Sequence, residues 1–418
     1  MGPDPIDDPL DAWTSIGSVH PVSLDRVDLW LVQLHFRHPV MTARGAHRSR
    51  PVALVRLGGR VGDRPVQGWG ECAALADGTF DSEDVAGSLA TLEERLVPAL
   101  LGETARAGGR VPSPSRLEGV RRAAPSAPLA YSALEMAVAD LHLRAEDRSL
   151  AEVLSVQSGS VAMGAVVGRI EPVGALVEEV VHLREQGFSR VKLKIGPGWD
   201  TEPLEAVHRA LPGLQLQADA NGTYSREDID HLTGLDRLGL LCLEQPFDRS
   251  DLEAHRLLAR RIATPLCLDE SIGSPDSARR ALATGACSVI CIKPARLGGL
   301  GATLDLVRSC TDSRTPLWLG GMFESGFARG VNATVAALPG FVWPGDLSPA
   351  RTYLETDLVG PPDLFREGPG GAGALSVRLP PGTGMGPPPD RGVLGSLGVL
   401  RRTFEVATAG HSDDTWPR

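Results

Sequence analysis

Eight short apolar runs between about residues 160 and 345 constrain the fold of this 418-residue chain more than any other feature. Seven are clear and the eighth is weaker, and an amphipathic helical pattern separates each run from the next. The runs read SVAMGAVVGRI, SRVKLKI, LQLQADAN, LLCLEQPF, TPLCLDES, ACSVICIKPAR, TPLWLGGMF and GFVWPGDL. Continuous apolar strands that alternate with helices indicate a parallel sheet covered on both faces. Eight of them within roughly 190 residues predict a closed barrel rather than an open doubly wound sheet.

The rest of the chain divides around this barrel, which we place at residues 156–350. Residues 21–155 combine strand-like runs with two helical patterns and predict an α+β capping domain. We expect residues 351–418, rich in Gly and Pro, to pack back on the cap and to end in a frayed tail. Residues 1–20 are acidic and contain several prolines, and we predict that they form a disordered leader.

Composition excludes several classes of partner. The chain has 42 Lys and Arg against 52 Asp and Glu, and a net charge of −10 disfavours nucleic acid and anionic membranes. It has no apolar run long enough to span a bilayer. The six cysteines form no C-x-x-C pair and stand mostly in apolar runs, which is typical of buried, reduced thiols. We therefore expect a cytoplasmic protein that acts on a small molecule, and we expect a homo-oligomer.

Ionisable residues recur at the ends of the barrel runs. Lys194, Asp219, Glu244, Asp269 and Lys293 end five consecutive runs and stand 24 or 25 residues apart, about the length of one strand-and-helix unit. Because the carboxyl ends of barrel strands meet at one face, these five side chains should arrive at the same level. Barrel active sites form at that face, so the spacing predicts an active site here.

The residue types indicate proton transfer beside a metal ion. Three converging carboxylates repel one another unless a cation joins them, and a carboxylate-rich site suits Mg²⁺ or Mn²⁺. Lys192 lies two residues before Lys194 and shares its strand face, while Lys293 comes from the opposite side of the barrel. We expect the cation and the neighbouring lysine to lower a lysine pKa enough for it to act as a base. Asn221 shares a face with Asp219 and could orient a ligand.

The ordered motifs K-x-K, D-x-N, E-Q-P, D-E-S and I-K-P resemble the signature of the enolase superfamily. No histidine ends a barrel run, which argues against the mandelate racemase branch, and the two lysines match the muconate-lactonizing branch. GWGECAAL, KPARLGG, GGMFESGFARG and PGDLSPARTYLETDLV are similar to the family that contains o-succinylbenzoate synthase and N-acylamino acid racemase. The Asp-x-Asp pair of dipeptide epimerases is not found around the eighth run.

This resemblance implies an α/β fold, a modified TIM barrel of the (β/α)7β type, with a cap that the C-terminal segment completes. It implies that Asp219, Glu244 and Asp269 hold Mg²⁺ or Mn²⁺ and that Lys194 and Lys293 flank the α-carbon of the substrate. The loop from Arg44 to Arg50 should cover the site as a lid. Residues with supporting or substrate-binding roles would be Lys192, Asn221, Glu270, Arg296, Gly320, Gly321, Met322, Glu324 and Ser325.

Two reactions stay open at this point. In an o-succinylbenzoate synthase, Lys194 would remove the α-proton and then act as the acid, while Lys293 stays cationic. In an N-acylamino acid racemase, the two lysines would exchange roles on opposite faces of one carbon. Another epimerase or cycloisomerase of the muconate-lactonizing type, or a metal-binding scaffold without turnover, is the alternative.

Overall fold

The computed structural model describes residues 8–42, 45–78, 81–156, 158–360, 368–369 and 375–406. The strands are β1 (Ser23–Thr42), β2 (Gly45–Val61), β3 (Arg64–Glu71), β4 (Ser160–Ala162), β5 (Ala165–Val167), β6 (Arg190–Lys194), β7 (Gln215–Asp219), β8 (Cys242–Glu244), β9 (Leu266–Leu268), β10 (Val289–Ile292), β11 (Leu317–Leu319), β12 (Gly368–Pro369), β13 (Leu375–Arg378) and β14 (Gly398–Glu405).

The α-helices are α1 (Pro9–Ser15), α2 (Val85–Thr91), α3 (Val97–Arg106), α4 (Glu118–Ala123), α5 (Pro128–Ala145), α6 (Leu150–Val153), α7 (Val173–Glu185), α8 (Thr201–Ala210), α9 (Ile229–Thr233), α10 (Leu252–Ala259), α11 (Pro275–Thr284), α12 (Pro294–Leu297), α13 (Leu300–Asp312), α14 (Gly326–Ala336) and α15 (Arg391–Leu397). A π-helical turn, Leu92–Leu96, joins α2 to α3. Within the described residues, no helix combines the length and the apolar character that a membrane span requires.

The cap is built on an antiparallel sheet with the strand order β14-β1-β2-β3. β14 pairs with β1 from Arg26↔Glu405 to Val32↔Gly398, so the C-terminal segment supplies an edge strand of the N-terminal domain. This pairing confirms the predicted completion of the cap by the C-terminal segment.

Helix α5 lies directly against β3 because two glycines leave room for it. A Cβ on Gly70 would fall 1.9 Å from the carbonyl oxygen of Ala133, and a Cβ on Gly68 would fall 2.3 Å from that of Ala137. Almost every residue of α5 is buried. The Gly-Trp-Gly-Glu sequence of β3 is therefore a packing surface for this helix.

The barrel sheet contains seven parallel strands in the order β5 to β11, as the seven clear apolar runs predict. The eighth run forms no extended strand, but it hydrogen-bonds to both edges of the sheet. Val342 N and Asp346 N donate to the carbonyls of Leu317 and Leu319 in β11, at 3.0 and 2.8 Å. Gly345 accepts a hydrogen bond from Gly164 N at 2.8 Å, next to β5. The eighth run thus joins the first strand to the last, which confirms the barrel class.

The helix α11 shows how the sequence delimits the outer layer. Ser274 forms a capping box with Ser277 at the first turn, and Pro275 occupies the first helical position, where its missing N–H costs nothing. Gly285 ends the helix in a left-handed conformation with φ +71°. The buried face of α11 consists of alanines that pack on the sheet.

One sequence-based expectation about the cap is wrong over residues 8–20. This part of the expected disordered leader contains α1, which buries Trp13 at 1% exposure against the core. The segment predicted as a lid loop is a hairpin, since β1 and β2 stay paired from Val40↔His47 to Thr42↔Gly45, and its role as a lid stays a prediction. Arg44, at the start of the predicted lid, lies outside the described residues, as does the predicted frayed tail from residue 407 onward.

Candidate active site

The barrel register brings the predicted strand-end residues to one level. In the parallel pairs, Lys194 lies opposite Asp219, and Asp219 lies opposite Glu244. Asp269 and Lys293 immediately follow β9 and β10. Side chains alternate along a strand, so the residues two positions earlier form the layer below. That layer includes Cys242, Cys267, Cys291 and Trp318, which pack together inside the barrel.

Lys192 is buried within the site, with 3% of the residue exposed. Its Nζ lies 3.1 Å from Asp219 Oδ2, 3.2 Å from Glu244 Oε2 and 2.9 Å from Asp346 Oδ2. It also stands 4.7 Å from the centroid of the Trp318 ring. Burial acts to lower the pKa of Lys192, but these carboxylates outweigh it and raise that pKa well above its ordinary value.

Lys194 lies at the open end of the site, with 35% of its side chain exposed. Its Nζ donates to Asp219 Oδ2 at 2.6 Å and to Asn221 Oδ1 at 2.8 Å. Asn221 Nδ2 in turn donates to Glu270 Oε1 at 2.9 Å. Glu270 Oε2 is buried and has no hydrogen-bond partner within the described part of the chain. The predicted supporting residues Asn221 and Glu270 therefore form one chain of contacts with Lys194.

Lys293 stands on the other side of the site and uses a different carboxylate. Its Nζ donates to Asp269 Oδ2 at 2.8 Å. Arg296 binds the other oxygen of Asp269 and also binds Asp81 of the cap, where its Nε lies 2.9 Å from Asp81 Oδ1. Burial acts to lower the pKa of Lys293, but Asp269 outweighs it and the pKa is raised. The lowered lysine pKa that the sequence led us to expect depends on a bound cation, and it stays a prediction.

The carboxylates differ strongly in their electrostatic environment. Burial, reinforced by the charge of Asp219, raises the pKa of Glu244 to about 8. Burial acts in the same direction on Asp269, but Arg296 and Lys293 outweigh it and hold the pKa of Asp269 below its ordinary range. Asp219 is likewise held low, because Lys194 and Lys192 outweigh its burial. The site thus concentrates negative charge that needs cations beside it.

The residues present fit a divalent metal ion. Glu244, Asp269 and Cys291 each offer a ligand atom within 4.8 Å of the others, and in the part of the chain that the structure describes this is the group with metal-ligand spacing. Burial raises the pKa of the Cys291 thiol well above its ordinary value, which leaves carboxylate oxygens as the suitable ligands. Two of the three predicted ligands belong to this group. Asp219 is not in it, and the ligand role of all three residues stays a prediction.

The loop after β11 carries predicted substrate-binding residues whose side chains are buried. Ser325 is fully buried, and its N–H donates to Glu71 Oε1 of the cap at 2.8 Å. Glu324 is 4% exposed and pairs with Arg329 at 3.0 Å, while Met322 packs into the cap core. These three side chains are engaged in interior contacts, and their predicted place beside the substrate stays a prediction.

The two glycines of that loop keep the close approach that the sequence suggested. A Cβ on Gly320 would lie 2.8 Å from Lys293 Cε, and a Cβ on Gly321 would lie 3.0 Å from Arg329 Nη1. Gly320 therefore borders the catalytic lysine candidate directly, and Gly321 borders the arginine that holds Glu324.

A small pocket of about 20 Å³ lies between the cap hairpin and Phe323. Its lining is largely apolar and includes Phe36 and Arg50. Arg50 is 1% exposed; its Nε donates to Phe323 O at 3.1 Å, and its Nη1 donates to Ala74 O at 2.7 Å. Arg50 Nη2 is buried without a hydrogen-bond partner among the residues that the structure describes. The predicted lid thus contributes a buried cation at its base.

Sequence reasoning missed two acidic residues of this site. Asp346 ends the eighth run and binds both Lys192 and Arg190. Its place after an apolar run was the available signal, but Pro344 and Gly345 obscured the strand pattern. Asp81 stands in a cap loop 215 residues from its partner Arg296, and nothing in the local sequence marks it.

The fold and the site together define a capped parallel barrel with a buried carboxylate cluster between two lysines. Comparison with known proteins agrees. Residues 26–155 match the mandelate racemase / muconate lactonizing enzyme N-terminal domain, and residues 175–391 match the enolase C-terminal domain-like family. The chain belongs to this family of enolase-superfamily enzymes.

Individual relatives cover nearly the whole chain. It is 38% identical over 371 residues to an N-succinylamino acid racemase of Amycolatopsis sp, covering 88% of this chain and 96% of the relative. It is 33% identical over 365 residues to an o-succinylbenzoate synthase of Bacillus subtilis (strain 168), covering 87% and 94%. A crystal structure of an enolase-superfamily member from Listeria innocua Clip11262 superposes with a TM-score of 0.83, at 30% identity, over 92% of this chain and 99% of that one.

Proposed function

We propose that this protein is a divalent-metal-dependent enzyme that racemises N-succinylamino acids through an enolate. The observation that carries the proposal is that Lys194 and Lys293 stand on opposite sides of the carboxylate cluster. Lys194 is held by Asp219 and Asn221, and Lys293 is held by Asp269 on the opposite side of the cluster. Racemisation at one carbon requires one base on each face, and this arrangement supplies two.

In the proposed reaction, one lysine Nζ removes the α-proton and the other returns a proton to the opposite face. The lysine that acts as the base must first lose its own proton, and the lysine that acts as the acid must keep it. Lys192 stays protonated because three carboxylates surround it, so it contributes fixed positive charge below the reacting groups. The cap excludes water from the enolate.

Glu244 and Asp269, with Asp219 as the third predicted ligand, would hold Mg²⁺ or Mn²⁺. Bound there, the ion would stabilise the negative charge that develops on the substrate carboxylate. The buried carboxylates support this choice, since hard oxygen donors suit these ions.

The surroundings of Arg50 support a succinyl group on the substrate. Gly320 borders Lys293, and the same loop reaches Arg50 at Phe323, so a short chain could connect the two regions. The unpartnered Nη2 of Arg50 could donate to a terminal carboxylate, and the apolar side chains around the small pocket would have to move apart to admit the methylene groups. A buried guanidinium favours a charged acyl end over a neutral one.

An o-succinylbenzoate synthase activity is the second candidate, because relatives at 33 and 34% identity carry that name. That reaction, a syn dehydration, needs one base that later serves as the acid, so Lys194 could perform both steps while Lys293 stays cationic.

Six buried free cysteines agree with the reducing environment of the cytoplasm, which is the localisation we propose. The expected homo-oligomer stays a prediction.

Exchange of the α-proton in D₂O tests the proposal. Each enantiomer of an N-succinylamino acid is incubated with the wild type, Lys194→Ala and Lys293→Ala, and loss of the α-proton signal is followed by NMR. We expect the wild type to exchange both enantiomers and each variant to lose exchange of one. If the wild type exchanges neither enantiomer but forms o-succinylbenzoate, the synthase would replace the racemase as the proposed function. Full exchange of both enantiomers in both variants would contradict the assignment of the lysines.

A further inference from the structure

Four charged side chains of alternating sign connect the cap to one lysine of the site. Arg296 binds Asp81 through two parallel contacts, Nε to Oδ1 at 2.9 Å and Nη2 to Oδ2 at 3.3 Å. Arg296 Nη1 donates to Asp269 Oδ1, and Lys293 Nζ donates to Asp269 Oδ2 at 2.8 Å. Arg296 is 3% exposed, so its charge needs compensation, which Asp81 and Asp269 provide by direct contact and Glu270 provides from nearby.

The cap holds Asp81 in a fixed place. Its loop is closed at the base by a bridge between Leu75 and Asp84, and Val85 N donates to Leu75 O at 2.8 Å. Two residues after Asp81, Glu83 accepts hydrogen bonds from the first N–H groups of α5, including that of Leu129 at 2.7 Å. The position of Asp81 is therefore set by the body of the cap.

The other lysine has no comparable link. Over the described residues, the side-chain partners of Lys194 are Asp219 and Asn221, and both belong to the barrel. Asn221 continues to Glu270, which is also a barrel residue. Charged side chains thus link Lys293 to the cap, whereas the described contacts of Lys194 are all with barrel residues.

We propose that Asp81 is a positioning residue that fixes Arg296, and through Asp269 the Lys293 ammonium, when the cap is seated on the barrel. The inference rests on the proposed racemase function, because it assigns the effect to one of two lysines. Without Asp81 the buried group loses the carboxylate that binds Arg296 from the cap. Arg296 would then leave Asp269 or stay as an incompletely compensated cation. Either change would alter the position of the Lys293 ammonium on Asp269.

The test compares Asp81→Asn with Asp81→Glu, which keeps the charge. Exchange of the α-proton of each enantiomer in D₂O is measured for both variants, with Lys293→Ala identifying the enantiomer that Lys293 serves. We expect Asp81→Asn to slow exchange of that enantiomer roughly ten- to hundredfold, as a misplaced catalytic group does, and to change the other by less than about threefold. We expect Asp81→Glu to restore part of the rate.

Glu83→Gln is the matched control, since Glu83 lies in the same loop and has no contact with Arg296 among those the structure gives. If Asp81→Asn slows α-proton exchange of both enantiomers equally, as a general loosening of the cap would, the inference is wrong while the proposed function stands. If the wild type exchanges neither enantiomer, the proposed function fails, and a crystal structure of Asp81→Asn then tests the inference by itself. Release of Arg296 from Asp269 would support the inference, and an unchanged contact would overturn it.

Discussion

Lys192 Nζ lies 2.9 Å from Asp346 Oδ2, and this contact ties the centre of the site to the segment that closes the barrel. Asp346 also binds Arg190, a fully buried cation whose guanidinium lies 5.0 Å from the centroid of the Trp318 ring. Burial acts to raise the pKa of Asp346, but Lys192 and Arg190 outweigh it and hold that pKa far below its ordinary range. Asp346 is therefore the counter-ion that lets two cations stay buried inside the barrel.

We expect Asp346→Asn to destabilise the protein by about 3 to 5 kcal/mol, because removing one partner leaves buried charge uncompensated. The free energy of unfolding in urea measures this loss. The control is Asp305→Asn, which removes an exposed partner of Arg279 and should cost less than about 1 kcal/mol. Equal costs for the two variants would show that Asp346 is not needed to hold the buried cations.

Gly70→Ala should destabilise the cap by about 3 kcal/mol or more. The added Cβ would fall 1.9 Å from the carbonyl oxygen of Ala133, and the backbone of α5 would have to move away from β3. Gly159→Ala is the control, because a Cβ there meets nothing within 4 Å. Thermal unfolding of both variants checks this, and a Gly70→Ala protein as stable as the wild type would contradict the close packing.

The site residues that could be predicted are those placed by barrel periodicity. A spacing of 24 or 25 residues becomes one spatial level when each unit adds one strand, so Lys194, Asp219 and Glu244 could be placed without coordinates. Their pairing and the resulting pKa values could not, because each depends on which neighbour a side chain turns toward. Lys293 illustrates this, since its contact with Asp269 raises its pKa and no local sequence pattern marks that pairing.

The features that escaped prediction lack a periodic signal. Helix α1 has seven residues, too few for a helical pattern to show, yet it buries Trp13. The hairpin tip around Val40 lacks the alternation of apolar and polar residues that marks a strand. Asp81 meets Arg296 only through the tertiary arrangement of cap and barrel.

Removal of divalent metal should abolish turnover and leave the fold intact. Excess chelator should stop α-proton exchange, and Mg²⁺ or Mn²⁺ should restore it, because the carboxylate cluster needs a cation to stabilise developing substrate charge. Binding of Mn²⁺ followed by electron paramagnetic resonance provides a readout independent of turnover, and Glu244→Gln should weaken it strongly. Full activity in chelator, or unchanged Mn²⁺ binding by Glu244→Gln, would contradict the metal site.

The stability of the cap on the barrel should decrease as the pH rises through the range in which Glu135 ionises. Glu135 lies on α5 and accepts a hydrogen bond from Leu300 N at the first turn of α13, so it joins the two domains. Burial raises its pKa from 4.5 to about 8. Between these values the unfolded chain has lost the proton and the folded chain keeps it, so the free energy of unfolding falls with rising pH. Below about 4.5 both states are protonated, and above about 8 both are ionised and the penalty is complete.

Glu135→Gln should remove this pH dependence, because the amide oxygen can still accept from Leu300 N and carries no charge. We compare the free energy of unfolding of the variant with that of the wild type at each pH. From pH 5 to pH 9 this difference should shift in favour of the variant by up to a few kcal/mol, at about 1.4 kcal/mol per pKa unit. Urea unfolding at the two pH values measures the difference. Glu152→Gln is the control, since hydrogen bonds from Ser149 lower the pKa of this exposed group from 4.5 and confine its pH dependence to more acidic conditions, so the difference between this variant and the wild type should be the same at pH 5 and pH 9. A Glu135→Gln protein whose stability runs parallel to that of the wild type from pH 5 to 9 would show that Glu135 is ionised in the folded protein throughout this range.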